Sequence, residues 1–135
     1  MISRPNHLIR FDVRVATSAS IEEVAGQVAA ALGCTFGEGR VEQVPSMVAE
    51  LFGLSISIQP WRGLAERPIY RVRGQVLDPR WVEGVDQEEL QWSSTDISAY
   101  VSDLLSLMTT FEWYLPSDEE RSAERDFGAR LDDAY

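Results

Sequence analysis

LIRFDVRVATSASIEEVAGQVAAALG, Leu8 to Gly33, contains two periodicities, and the switch between them decides the fold class. From Leu8 to Val15 the side chains alternate, with Ile9, Phe11, Val13 and Val15 on one face and Arg10, Asp12 and Arg14 on the other, the pattern of a half-buried strand. From Ser20 the apolar positions recur at helical spacing, as Ile21, Val24, Val28 and Leu32. Ser20 with Glu23 forms a capping box, and Gly33 is placed to end the helix. A strand with one polar face, followed at once by an amphipathic helix, predicts a sheet covered by helices on its apolar side.

The chain downstream extends this plan. Cys34 to Gly53 is less regular: its glycines mark a turn, and Pro45-Ser46 opens a short helix or lid through Met47, Val48, Leu51 and Phe52. Leu54, Ile56 and Ile58 alternate with Ser55, Ser57 and Gln59. After the turn-rich PWRGLAERP, Tyr70, Val72 and Val76 share a face, which predicts an antiparallel hairpin with a long loop. Asp78-Pro79 breaks the strand, and Glu88–Trp92 reads as a short strand with Leu90 and Trp92 inward. A second helix, capped at Ser94 or Thr95, carries Ile97, Tyr100, Val101, Leu104, Leu105 and Met108. A last strand holds Phe111, Trp113 and Leu115 in register and stops at Pro116. Ser117 and Glu120 cap a final helix whose thin stripe of Ala123, Phe127 and Leu131 predicts weak docking.

Together these segments give an α+β fold: a single mostly antiparallel sheet with two main helices packed on one face. By analogy with the βαββαβ pattern, a ferredoxin-like two-layer arrangement is the favoured version. Residues 1–116 form the domain, and 117–135 an acidic, amphipathic C-terminal helix or tail.

Composition removes several chemistries. With Cys34 and His7 the only residues of their types, the chain holds no internal disulfide and no ordinary His/Cys zinc site. A Ser-His-Asp triad would need His7, which lies ahead of the first strand. Lysine is absent, so a P-loop lysine and a Schiff-base lysine are excluded. Cys34 reads as a small, partly buried hydrophobe. No apolar run approaches the ~20 residues of a bilayer span, and MISRPNHLIRF lacks the apolar core of a secretory signal, so the cytoplasm is the expected address. Neither Glu88 with Glu89 nor Asp96 with Asp103 forms a converging carboxylate pair on a strand or helix. No catalytic, cofactor-binding or metal-binding residue is therefore assigned. The alternative function is a small-molecule-binding domain or carboxylate-based enzyme, with an apolar pocket beneath Met47–Phe52 near Trp61 and Tyr70.

Charge is partitioned along the chain. Its formal net charge is −10, yet residues 1–80 are close to neutral and the tail from Arg121 is nearly balanced. No basic residue occurs between Arg80 and Arg121, a stretch that carries the whole excess of acid. Within it, Glu83, Asp86, Glu88 and Glu89 lie between Trp81 and Trp92, with Asp96 just beyond. Aromatics interleaved with one sign of charge have the composition of an interface anchor with an electrostatic rim. These seven residues are the expected partner-binding set, in a non-enzymatic module that binds a basic protein. An inhibitor or immunity-type protein that neutralises a toxin is the extreme case, by class-level analogy alone. Nucleic acid would be repelled, and no membrane partner is implied. Exposed apolar surface would equally serve a homodimer. Two competing features are Arg10, Arg14, Arg71 and Arg73, which would form an anion platform if exposed among aromatics, and Trp61-Arg62, more readily a Trp folded onto the core than a contact hot spot.

Overall fold

The computed structural model of the chain describes residues 8–41, 43–61, 68–75 and 94–133. β1 (Leu8–Ala16) is the strand that the alternation predicts: Phe11, Val13 and Val15 are buried, while Ile9, toward its start, is partly exposed. α1 (Ile21–Leu32) begins where Ser20 Oγ accepts from the Glu23 N–H. It ends at Gly33, whose left-handed backbone (φ 76°) directs its N–H to the Ala29 carbonyl. Val24, Ala25 and Val28 face the core.

The segment read as a turn and a short helix is instead a β-hairpin, β2 (Gly37–Val41) with β3 (Val44–Leu51). Met47, Val48, Leu51 and Phe52 fit a helical spacing, but Met47, Ala49 and Leu51 also fit a strand period, and pairing on both edges of β3 selects the strand. Gly39 lies within β2 rather than in a turn. A Cβ there would stand 2.8 Å from Val48 Cγ2, so glycine is what lets the two strands pair over that side chain. β4 (Leu54–Trp61) and β5 (Ile69–Gln75) form the predicted antiparallel pair.

Further along, β6 (Ser94–Asp96) replaces the expected helix cap at Ser94 or Thr95 and pairs with β1 in parallel. α2 (Ser98–Met108) follows, then β7 (Trp113–Tyr114), antiparallel to β1, and α3 (Asp118–Asp133). The expected strand Glu88–Trp92 and Val76 lie outside the described residues.

The strands form a single seven-stranded sheet, ordered β2-β3-β4-β5-β1-β6, with β7 also on β1. Among the described strands only the β1–β6 pair is parallel. The expected α+β class is therefore observed, with more strands than the βαββαβ pattern on which the ferredoxin-like version rests. α1 and α2 cover the apolar face and enclose Phe11, Val13, Val15, Val24, Val28, Ile56, Ile58, Val72, Val101, Leu105 and Trp113.

α2 docks by part of the expected stripe: Val101 and Leu105 are in the core and Ile97 packs against it, but Tyr100 and Met108 are exposed, as is Leu107, and Ser98 and Ser102 are buried in their place. The two serines are small enough to bring the helix close to the sheet, and Ser98 Oγ accepts the Asp12 N–H of β1 at 2.9 Å. A periodicity count cannot register such an anchor, because it scores serine as surface. Leu115 is likewise 45% exposed, since the last strand ends at Tyr114.

Register also explains Gly74. It lies opposite Phe11, and a Cβ on Gly74 would overlap the Phe11 ring. Gly74→Ala should lower stability by about 1–3 kcal/mol through overpacking, seen as a lower urea midpoint at unchanged slope, and Phe11→Leu in the same chain should recover part of the loss. An unchanged midpoint for Gly74→Ala would mean that the ring does not need that space.

Candidate functional site

The second face of the sheet carries the side chains that alternate with the core: Asp12 and Arg14 on β1, Ser57, Gln59 and Trp61 on β4, and Ile69, Arg71 and Arg73 on β5. It is not a solvated polar surface. Arg14 and Gln59 are each 2% exposed, and Ile69 is buried beside them.

A guanidinium so buried requires carboxylates, and two supply them. Arg14 Nε and Nη2 donate to Glu124 Oε1 and Oε2 of α3 at 3.0 and 2.9 Å, a bidentate pair, and Nη1 donates to Asp12 Oδ1. Arg71 Nε and Nη2 donate to the same Asp12 carboxylate at 3.1 and 2.6 Å. Trp61 is the floor of this cluster, with the Arg71 guanidinium 4.7 Å and that of Arg14 5.8 Å from its ring centre. Trp61 thus packs on the second face rather than onto the core, beneath arginines of neighbouring strands, and Arg62 lies outside the described residues. Gln59 Oε1 and Trp61 Nε1 are buried there without a hydrogen-bond partner among the described residues.

Burial alone would raise the pKa of Asp12. The Arg71 hydrogen bonds and the charges of Arg14 and Arg71 overcome it and hold the carboxyl below the usual aspartate range. Burial would also lower the Arg14 value, but the Glu124 hydrogen bonds and the Asp12 charge raise it. The four groups form a closed set of two cations and two anions. That set has no unshared base for proton transfer, and it offers neither Arg14 nor Arg71 to an external anion. The arginine platform is corrected on this ground: its cations are committed within the fold.

Glu124 is the residue that the sequence reading missed. Its signal in the sequence is only that the strands carry more arginine than acid. Of the strand acids, Asp12 pairs with the arginines. Glu112 is exposed and makes no ion pair among the described residues. The tail expected to dock weakly is a helix tied to β1 by Glu124, and Tyr114 Oη also donates to Glu120 Oε2 at 3.1 Å.

Of the seven expected partner-binding residues, Trp81, Glu83, Asp86, Glu88, Glu89 and Trp92 lie outside the described residues. Asp96 is described, at the end of β6. Its Oδ1 accepts from the Ser98 N–H at 2.8 Å and from Ser98 Oγ, and its Oδ2 lies 3.6 Å from Arg10 Nη1. Burial would raise its pKa, but the Ser98 hydrogen bonds and the charges of Arg10 and Arg121 lower it. Asp96 therefore joins β1 to the start of α2, with its side chain 43% exposed.

The pocket expected near Trp61 and Tyr70 is not formed by those residues, which lie on opposite faces of the sheet: Tyr70 packs against the core and donates its hydroxyl to the Ala19 carbonyl. A groove of about 490 Å³ lies instead at the β2–β3 edge, lined by Ile21, Glu22, Glu38, Arg40, Pro45 and Met47. Cys34 is a partly buried neighbour of the core whose thiol pKa is pushed up by burial. Among the described residues no cluster of His, Cys, Asp and Glu is arranged to hold a metal ion, and no helix is long and apolar enough to cross a membrane.

No protein-family model, curated protein or solved structure matches the chain.

Two predictions follow from the ion network. Glu124→Ala leaves Arg14 buried beside a single shared carboxylate and should destabilise by about 3–5 kcal/mol, whereas Arg14→Met with Glu124→Met should cost markedly less. Equal losses in urea titrations would show that packing rather than charge holds α3. Asp12 has a folded value below its unfolded one, so its contribution is complete above the unfolded pKa and is lost as the pH falls through the folded one, below about pH 4. Asp12→Asn should therefore be less stable than wild type at pH 7, with the difference narrowing between about pH 4 and 2. A gap constant over that range would contradict the pairing.

Proposed function

We propose that the chain is a non-enzymatic protein-binding module that engages a basic protein through an acidic surface, as an inhibitor or immunity-type protein does. The observation that carries this reading is the internal use of the sheet arginines. Arg10, Arg14 and Arg71 are each paired with a carboxylate of the chain, and these pairs absorb Asp12, Asp96 and Glu124. Asp103, Glu112, Asp118 and Glu119 are exposed and enter no ion pair among the described residues. These four stand for the acid excess of residues 81–120 among the described residues. A surface of that sign speeds association with a basic partner and rejects polyanions.

Exposed apolar side chains add the contact area that charge alone lacks. Tyr100 and Leu107 stand 67% and 80% exposed on α2, with Asp103 between them on the same helix and no basic residue along it. Trp81 and Trp92 are the anchors that the reading assigns, and Glu83, Asp86, Glu88, Glu89 and Asp96 its electrostatic rim.

Replacing Glu83, Asp86, Glu88 and Glu89 by Arg tests the assignment. In low-salt affinity capture from the native organism's lysate, with elution by a salt gradient, the wild-type chain should release one basic protein as salt rises. The purified pair should lose at least about a hundredfold in affinity on charge reversal, the size expected for several close charge pairs, while the melting temperature of the chain stays within a few degrees. A captured protein that binds the reversed chain equally well would refute the acidic interface.

A further inference from the structure

Among the described strands β2 stands at the end of the sheet and pairs with β3 alone. Its burial is that of an open edge: Gly37, Glu38 and Arg40 are exposed, and Gly39 and Val41 are half-buried. The unpaired backbone of such an edge is a template for a further strand. Pro45 reveals which groups are available. Arg40 lies opposite Pro45, which has no N–H, and Val41 lies opposite Val44 across a two-residue turn. Bonded and non-bonded pairs alternate along an antiparallel ladder. Val41–Val44 and Gly39–Ser46 are therefore the bonded pairs, and the N–H and C=O groups of Glu38 and Arg40 point away from the sheet.

We infer that β2 pairs antiparallel with β2 of a second copy of the chain, joining two sheets into one across a twofold axis at Gly39. The strand selects this occupant by its own sequence. Outward-facing residues bond to outward-facing residues, so Glu38 and Arg40 limit the choice of register. Glu38 opposite Glu38, or Arg40 opposite Arg40, would set like charges against each other. Glu38 opposite Arg40 of the second copy instead sets acid against base on both sides of the axis, and each pair exchanges both of its backbone bonds. Neither side chain has an ionic partner in its own chain among the described residues. In this register Gly39 meets Gly39 at the axis, and Val41 faces Gly37, where a Cβ would find no atom within 4 Å and the valine has room.

The surroundings favour the same pairing. Glu38 and Arg40 line the groove with Ile21, Pro45 and Met47, so the charge pairs form against partly apolar walls, where screening is weaker. Charged residues commonly guard an edge strand against pairing. Here opposite signs two residues apart reject the slipped registers and accept the symmetric one. The net charge of −10 repels two copies at a distance, but that repulsion is screened over about 8 Å at physiological salt. The contact is independent of the acidic interface assigned above.

An edge of five residues gives an interface at the small end of specific ones, with a dissociation constant of about 10–100 μM. Sedimentation equilibrium of the full chain between about 5 and 500 μM should show monomer and dimer in exchange, and amide hydrogen exchange at Glu38 and Arg40 should slow as concentration rises. Glu38→Arg or Arg40→Glu alone opposes like charges at both pairs and should weaken the dimer about tenfold or more, at an unchanged urea midpoint. An equimolar mixture of the two single variants restores opposite charges and should recover association to within about threefold of wild type, as should one chain carrying both changes. A chain that stays monomeric over the whole range, a dimer that neither single change weakens, or a mixture that fails to recover would each overturn the inference.

Discussion

β1 governs the structure because each of its faces has a separate obligation. Phe11, Val13 and Val15 supply the centre of the apolar core, and the residues between them, Asp12 and Arg14, are the hub of the ion network on the second face. Stripping water from a guanidinium costs several kcal/mol, and only matched, hydrogen-bonded carboxylates offset it. Arg14 therefore constrains everything that reaches it. Arg71 must share Asp12, Trp61 must lie beneath the cations, and α3 must bring Glu124 into line with Arg14. A one-residue slip of β1 would turn Arg14 into the core and Val13 onto the charges, so network and core enforce one register.

The same strand sets where α2 begins. The Ile97 N–H donates to the Arg10 carbonyl at 2.8 Å and Ser98 Oγ takes the Asp12 N–H, so the backbone of β1 continues its hydrogen bonding into the start of a helix. Asp96 then fixes Ser98 and faces Arg10. A carboxylate that looks from sequence like part of an acidic surface serves here as a junction.

What the sequence made legible was whatever follows from period and capping. β1, α1 with both its caps, and the β4–β5 pair are local patterns repeated over enough residues to be read directly. The failures have a common physical cause, which is that a partner distant in the chain decides the outcome. β3 fits two periods, and only its neighbours choose between them. The buried stripe of α2 includes two serines because β1 offers Ser98 a donor. Glu124 is read as surface until a buried arginine 110 residues earlier claims it. Of the expected interface only Asp96 falls within the described residues, and its main bonds are internal. Phe52 was read as part of an apolar helical stripe. It lies instead in a turn, in the left-handed region and almost wholly in solvent.

Placing an exposed aromatic on a strained turn is informative because the alternative is so accessible. Asparagine at position 52 would relieve a backbone preference of about 1–2 kcal/mol and remove an apolar surface from water. The gain is a noticeable fraction of the stability of a small domain, commonly about 5–15 kcal/mol. The ion network is a separate matter. It sets two cations against two anions inside the fold, so the formal charge of −10 is left to the rest of the chain. An optimum of stability alone would remove both the excess of acid and the strained aromatic tip.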